Sequence, residues 1–160
     1  MHDAARSLTF VTDRDRMDVD AIHTFLSEES YWAQGIPRDV VQRAMAGSLC
    51  FGVLDGSRQV AFARVVTDGA TFAYLCDVFV IQEYRGRGVA HQLMQVIDRH
   101  PALQGLRRWN LVTRDAHDLY ARFGFTAPAR PEGYMERLRP DIYTAPLPAV
   151  DPGGSRDSER

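Results

Sequence analysis

The sequence predicts one α/β domain built on a mixed, mostly antiparallel central sheet flanked by helices. Three observations predict it. Apolar, strand-like runs follow one another between Leu49 and Val80, separated by Asp-Gly turns, which is the pattern of an antiparallel meander. A glycine turn then opens an amphipathic stretch and leads to another strand-like run, an order that returns a parallel strand to the sheet by a right-handed crossover. With 160 residues, 45% of them apolar, the chain holds one core and has no room for a second.

The elements follow in order. Leu8 to Thr12 reads as a first strand, and Asp18 to Leu26 as a helix with Val19, Ile22 and Leu26 on one face. The segment SYWAQGIP then places Tyr31 and Trp32 in a surface loop. Pro37 opens a second short helix, RDVVQRAMAG, which Gly47 ends. The strands LCFGVLD, RQVAFARVVTD and TFAYLCDVFV are divided by Asp55-Gly56 and Asp68-Gly69. The third is nearly all apolar, which predicts burial on both faces and a central place in the sheet, with Asp77 as its exception.

RGRGVAHQLMQVIDRHP carries Val89, Leu93, Val96 and Ile97 on the inward stripe of a helix that Pro101 ends. Arg107 to Thr113 reads as the parallel strand, Asp115 to Phe123 as a short helix ending at Gly124, and Tyr134 to Leu138 as a last strand. Residues 1–144 form the predicted domain. The Pro- and Gly-rich stretch 145–160 reads as a disordered tail.

Composition excludes several classes. A net charge of −2 and a pI near 6.2 give no basic field for nucleic acid. No apolar run reaches the ~18 residues of a membrane span, and the start lacks a signal-peptide core, so a cytoplasmic location is expected. Cys50 and Cys76 sit in apolar runs and read as core residues, and the five histidines show no metal-ligand spacing, so no metal is expected. A homodimer is left open.

Arg85-Gly86-Arg87-Gly88-Val89-Ala90 lies where a strand turns into a helix. Free N–H groups at a helix start converge with the positive end of the helix dipole, and glycine lets a phosphate come close. Arg85 and Arg87 add charge suited to phosphate oxygens. His91 stands where a dinucleotide-binding GxGxxG loop needs its third glycine, and no GKS or GKT marks a Walker loop.

DVFV, the R-x-x-G-x-A turn with its helix, and LYARFGF together resemble the GNAT acetyltransferase superfamily over about Leu8 to Leu138. The resemblance implies a GNAT-like fold, acetyl-CoA as acyl donor, and its diphosphate on the backbone of Arg85 to Ala90. It also implies that the pantetheine arm pairs with the strand edge near Phe79 and Val80, where two central strands splay apart. Transfer to an amine then needs a deprotonated nucleophile and a proton for the leaving thiolate.

Tyr120 is the candidate general acid, as family members often carry Tyr at this place; a phenol pKa of ~10 keeps it protonated near neutrality. Asp77, a lone charge in an apolar run, is the candidate for anchoring a cationic acceptor or relaying its proton, or else it pairs with an arginine at a bulge. Asp115 and His117 offer a base or a helix cap, and the spacing to Leu119 favours the cap. His91 faces the phosphate turn or solvent. Tyr31 and Trp32 are candidate walls of the acceptor pocket, holding an amine by cation–π contact, or they pack locally.

Arg107-Arg108 tops a strand. The expected activity is an N-acetyltransferase acting on a small molecule or peptide. The alternative is a non-catalytic module that binds or senses acyl-CoA, with a different acyl donor as a weaker variant.

Overall fold

A computed structural model describes residues 7–144; the stretch 145–160 and residues 1–6 lie outside it. The sheet has five strands in the order β1 (Thr9–Val11), β2 (Leu49–Asp55), β3 (Arg58–Thr67), β4 (Phe72–Val80) and β5 (Arg108–Leu111). The first four pair antiparallel and β5 joins β4 in parallel, as the crossover argument requires. Four α-helices pack on it: α1 (Val19–Thr24), α2 (Arg38–Ala46), α3 (Val89–Asp98) and α4 (His117–Ala121). Among the described residues no helix is long and apolar enough to cross a membrane.

The turns form for local reasons. Asp68 accepts the backbone N–H groups of Ala70, Thr71 and Phe72 and the Thr71 hydroxyl, which closes the β3–β4 turn and holds its carboxyl well below the usual range. Asp18 caps α1 through the Ala21 N–H at 3.1 Å. The buried Gln59 accepts the Asp18 N–H and donates to the Ala61 carbonyl, so its burial leaves no amide unpaired. Gly52 makes the room: a Cβ there would stand 2.9 Å from the Gln59 amide nitrogen.

Two cores lie on the two faces of the sheet. Ile22, Leu26, Val41 and Met45 from α1 and α2 pack on Phe62 and Phe79, while Val89, Leu93, Met94 and Ile97 of α3 pack on Ala61, Ala63, Val65 and Leu75. Alternation along β3 puts Phe62 on one side and Ala61 and Ala63 on the other. Each fully buried Leu, Ile, Val or Phe stabilises the fold by about 1.5–3 kcal/mol.

Two expectations are corrected. The strands buried on both faces are β2, whose residues 50–54 are all buried, and β3, whose residues 59–63 are, and not β4. In β4 only Ala73, Leu75 and Phe79 are buried, because β5 is four residues long and its ladder ends at Leu75–Leu111. The other correction concerns Tyr134 to Leu138, which is extended chain outside the sheet: Met135 is 97% exposed. It lies between Pro131 and Pro140, which lack N–H donors, and reaches β5 through the side chain of Tyr134: the Asn110 amide stands 3.4 Å from its hydroxyl and the Arg108 guanidinium 5.8 Å from its ring centre.

Candidate active site

Gly86 and Gly88 take φ of 73° and 76°, and Gly88 is the residue before α3. A Cβ at either position would point into open space, so glycine is needed for the left-handed backbone, and the space before it is free for a ligand. No side chain caps α3. Among the described residues the N–H groups of Gly86, Arg87, Gly88, Val89, Ala90 and His91 donate to no protein acceptor. Six unspent donors at the start of a ten-residue helix make an anion cradle.

The arginines flanking it do different work. Arg85 Nε donates to the Val80 carbonyl at 2.8 Å and ties the cradle to the end of β4. Arg87 leans over the Tyr84 ring, 5.2 Å from its centre, while the Tyr84 hydroxyl bonds the Asp55 carboxylate. His91 sits against Phe123 with ring centres 5.1 Å apart, which brings the segment after α4 beside the first turn of α3. Its Nδ1 is buried with no hydrogen-bond partner among the described residues.

Beside the cradle, β4 runs on from Cys76 to Val80 past the end of its ladder with β5. A bulge interrupts its other ladder, where Asp77 and Val78 together oppose Ala63. Asp77 takes φ 54°, a left-handed conformation that Asp tolerates better than most residues. Its carboxylate accepts the Arg64 Nε–H and the Trp32 indole N–H, each at 2.9 Å. Arg64 also donates to the Ser48 hydroxyl at 3.0 Å. The pair is largely shielded, with side chains 17% and 12% exposed, so removing one partner would strand a charge.

A π-helical turn, Phe25–Glu29, continues α1, and the buried Ser30 fixes the loop by donating to the Leu26 carbonyl and accepting the Ala33 N–H. That presents Tyr31 and Trp32 edge to face, 45% and 42% exposed. The Tyr31 hydroxyl accepts the Arg114 backbone N–H at 3.2 Å, and the Arg114 guanidinium lies 3.8 Å from the ring centre. Tyr120 of α4 is buried near this point, and burial, with Tyr31 and Asp115 nearby, pushes its phenol up to about 12.

The family profile described as Acetyltransferase (GNAT) domain matches residues 46–127. That span runs from the end of α2 through the cradle and Tyr120. A Gibberella zeae protein assigned as an acetyltransferase is 34% identical over 133 residues, covering 69% of this chain and 74% of that one. This chain belongs to the GNAT family of acetyltransferases.

A crystal structure of a GNAT-family chain from Xanthomonas campestris pv. campestris, also assigned as an acetyltransferase, is 52% identical, with a TM-score of 0.85 over 87% of this chain and 98% of that one. An assigned acetyltransferase from Clostridium acetobutylicum, solved with acetyl-CoA, shares the fold at a TM-score of 0.62 and 13% identity over 82% of this chain and 96% of that one.

Where the GNAT resemblance implies Arg85 to Ala90, the free main-chain donors run from Gly86 to His91, because the Arg85 N–H is bonded to the Gln82 carbonyl. Phe79 turns its ring into the opposite core, stacked 3.9 Å from Phe25, so only its backbone can face a ligand, and the Val80 carbonyl already takes Arg85. Trp32 and Asp77 meet directly, and Tyr31 is bonded to the Arg114 backbone, six residues before Tyr120. Asp115 is not the cap of α4: the Ala116 N–H goes to the Thr113 hydroxyl at 3.0 Å, because that oxygen stands three residues back. His91 is half-buried, with its ring against Phe123.

Cys50 is buried and Cys76 half-buried, with thiols pushed by burial up to about 11 and about 12. Sequence reasoning missed Arg64 and Arg114. Arg64 carried the signal that flagged Asp77, a charge inside an otherwise apolar strand, whereas nothing local marked Arg114.

Proposed function

We propose that this GNAT protein transfers the acetyl group of acetyl-CoA to an amine of a small molecule or peptide by direct attack of the amine on the thioester. The observation that carries the reading is the run of unspent N–H donors from Gly86 to His91 at the end of a strand whose outer edge is free. Main-chain donors and the dipole of α3 suit a diphosphate, and the open space before Gly86 and Gly88 admits one. Acetyl-CoA, when bound, supplies an activated acyl group on a thiol leaving group.

The chain's own residues do the rest. Gly86 to His91 hold the diphosphate, with Arg87 near enough to add charge. The outer edge of Cys76 to Val80, backbone of Phe79 and Val80 included, guides the pantetheine arm toward α4. Tyr120, protonated far above neutrality, gives a proton or a hydrogen bond to the departing sulfur. Tyr31 and Trp32 wall the acceptor. Asp77 spends one oxygen on Trp32 and one on Arg64, and its remaining lone pairs serve an acceptor ammonium.

Incubating the protein with acetyl-CoA and a panel of amines, with products read by mass spectrometry, tests the proposal. Acetylated amine is the expected result. Tight coenzyme binding with no product from any amine would instead mark a non-catalytic acyl-CoA module.

A further inference from the structure

Tyr31 stands where a ring would greet the acceptor's cation, yet one face already carries a cation of the protein's own. The Arg114 guanidinium lies 3.8 Å from the ring centre, and its backbone N–H is anchored to the same tyrosine's hydroxyl. A guanidinium laid on an aromatic face is fixed in direction and leaves its edge donors free for a planar anion.

Some of the other arginines are spent elsewhere. Arg38, Arg43, Arg58 and Arg64 have carboxylate partners, and Arg14 and Arg85 bond backbone carbonyls. Among the described residues Arg114 has neither. Its ring partner Tyr31 packs on Trp32 and accepts the backbone N–H of Arg114, six residues before Tyr120 on the segment that leads into α4, so the guanidinium stands beside the proposed path of the amine. Asp77 is neutralised by Arg64, whereas among the described residues Arg114 has no carboxylate within ion-pair distance.

We propose that the acceptor bears a carboxylate besides its amine, and that Arg114 grips it as a two-pronged pair while the amine faces Tyr120. The inference rests on the acetyl-transfer reading and narrows it to amino-acid-like acceptors. A purely cationic amine would meet the loaded face of Tyr31 and be repelled, whereas an amine that also bears a carboxylate finds its partner in the guanidinium. A dianionic phosphate fits less well, because one guanidinium offers it a single positive charge.

The test uses amines that differ only in the acid group. Phenylalanine is compared with 2-phenylethylamine, β-alanine with ethylamine, and phosphoethanolamine serves as the phosphate arm, each with acetyl-CoA. The carboxylate member of each pair should be favoured in kcat/KM by at least about tenfold. Arg114→Gln should raise KM for that member by a similar factor and leave KM for acetyl-CoA within about twofold, with Arg114→Lys recovering part of the loss.

Equal kcat/KM within the pairs, preference for the phosphate arm, or an Arg114→Gln loss shared equally by amines without a carboxylate would overturn the inference. So would acetyl-CoA binding with no carboxylate-bearing amine acetylated. That result leaves the enzyme reading to the wider panel, whereas failure to bind acetyl-CoA at all removes the enzyme reading itself.

Discussion

The two ends of the site are built from different material. From Gly86 to His91 the ligand-facing groups are main-chain N–H donors, six in a row, supplied by one short stretch and two left-handed glycines. At the proposed acceptor end they are side chains: Trp32 from the loop after α1, Arg64 from β3, Asp77 from the β4 bulge, Arg114 after β5 and Tyr120 on α4. The first end asks only for a local backbone conformation. The second exists only once the sheet has closed and both faces are packed, so it depends on the stability of the whole domain while the cradle depends on two φ angles.

The comparison can be broken at either end. Tyr120→Phe should lower kcat by about one to three decades while KM for acetyl-CoA stays within about twofold; a change confined to KM would move Tyr120 into binding. The folded pKa of Tyr120 is raised to about 12, so the phenol stays protonated through neutrality. The alkaline limb of kcat it controls should therefore lie above the ordinary tyrosine range, and the stability gained from its neutral form should be lost as pH rises from about 10 to about 12.

Asp77→Ala strands Arg64 and frees Trp32, and should destabilise the domain by about 3–5 kcal/mol in chemical denaturation, with a red shift of tryptophan fluorescence. Gly88→Val forces a branched side chain into a left-handed conformation at a cost of about 1–2 kcal/mol and fills the cradle. Acetyl-CoA affinity should fall at least about tenfold with acceptor KM unchanged; retained affinity would mean the cradle is not where the coenzyme sits. The smallest effect concerns the thiols. Raised by burial, Cys50 and Cys76 should react with iodoacetamide near pH 8 at least about tenfold more slowly in the folded protein than after denaturation.

What could be read in advance follows the same division. The meander, α3 and the glycine turn were legible because period, turn residues and helix entry are local signals. The burial of β4 was misjudged because composition reports apolar residues but not the length of the neighbouring strand, and β5 stops after four residues. Tyr134 to Leu138 carries apolar residues but stays extended chain beside the free edge of β5 without pairing to it.

Asp77 stood out as a lone charge, yet its partners lie 13 and 45 residues away, so its role as a tie between Arg64 and Trp32 belongs to tertiary structure. Arg114 is an ordinary loop arginine until Tyr31, 83 residues earlier, is laid beneath it.

The most direct test of the central claim is amide hydrogen exchange on the protein with and without coenzyme A, alongside acetyl-pantetheine, which lacks the diphosphate. Coenzyme A should slow exchange from Gly86 to His91 and acetyl-pantetheine should not. Binding without protection of those amides, or equal protection by both compounds, would contradict a main-chain diphosphate cradle.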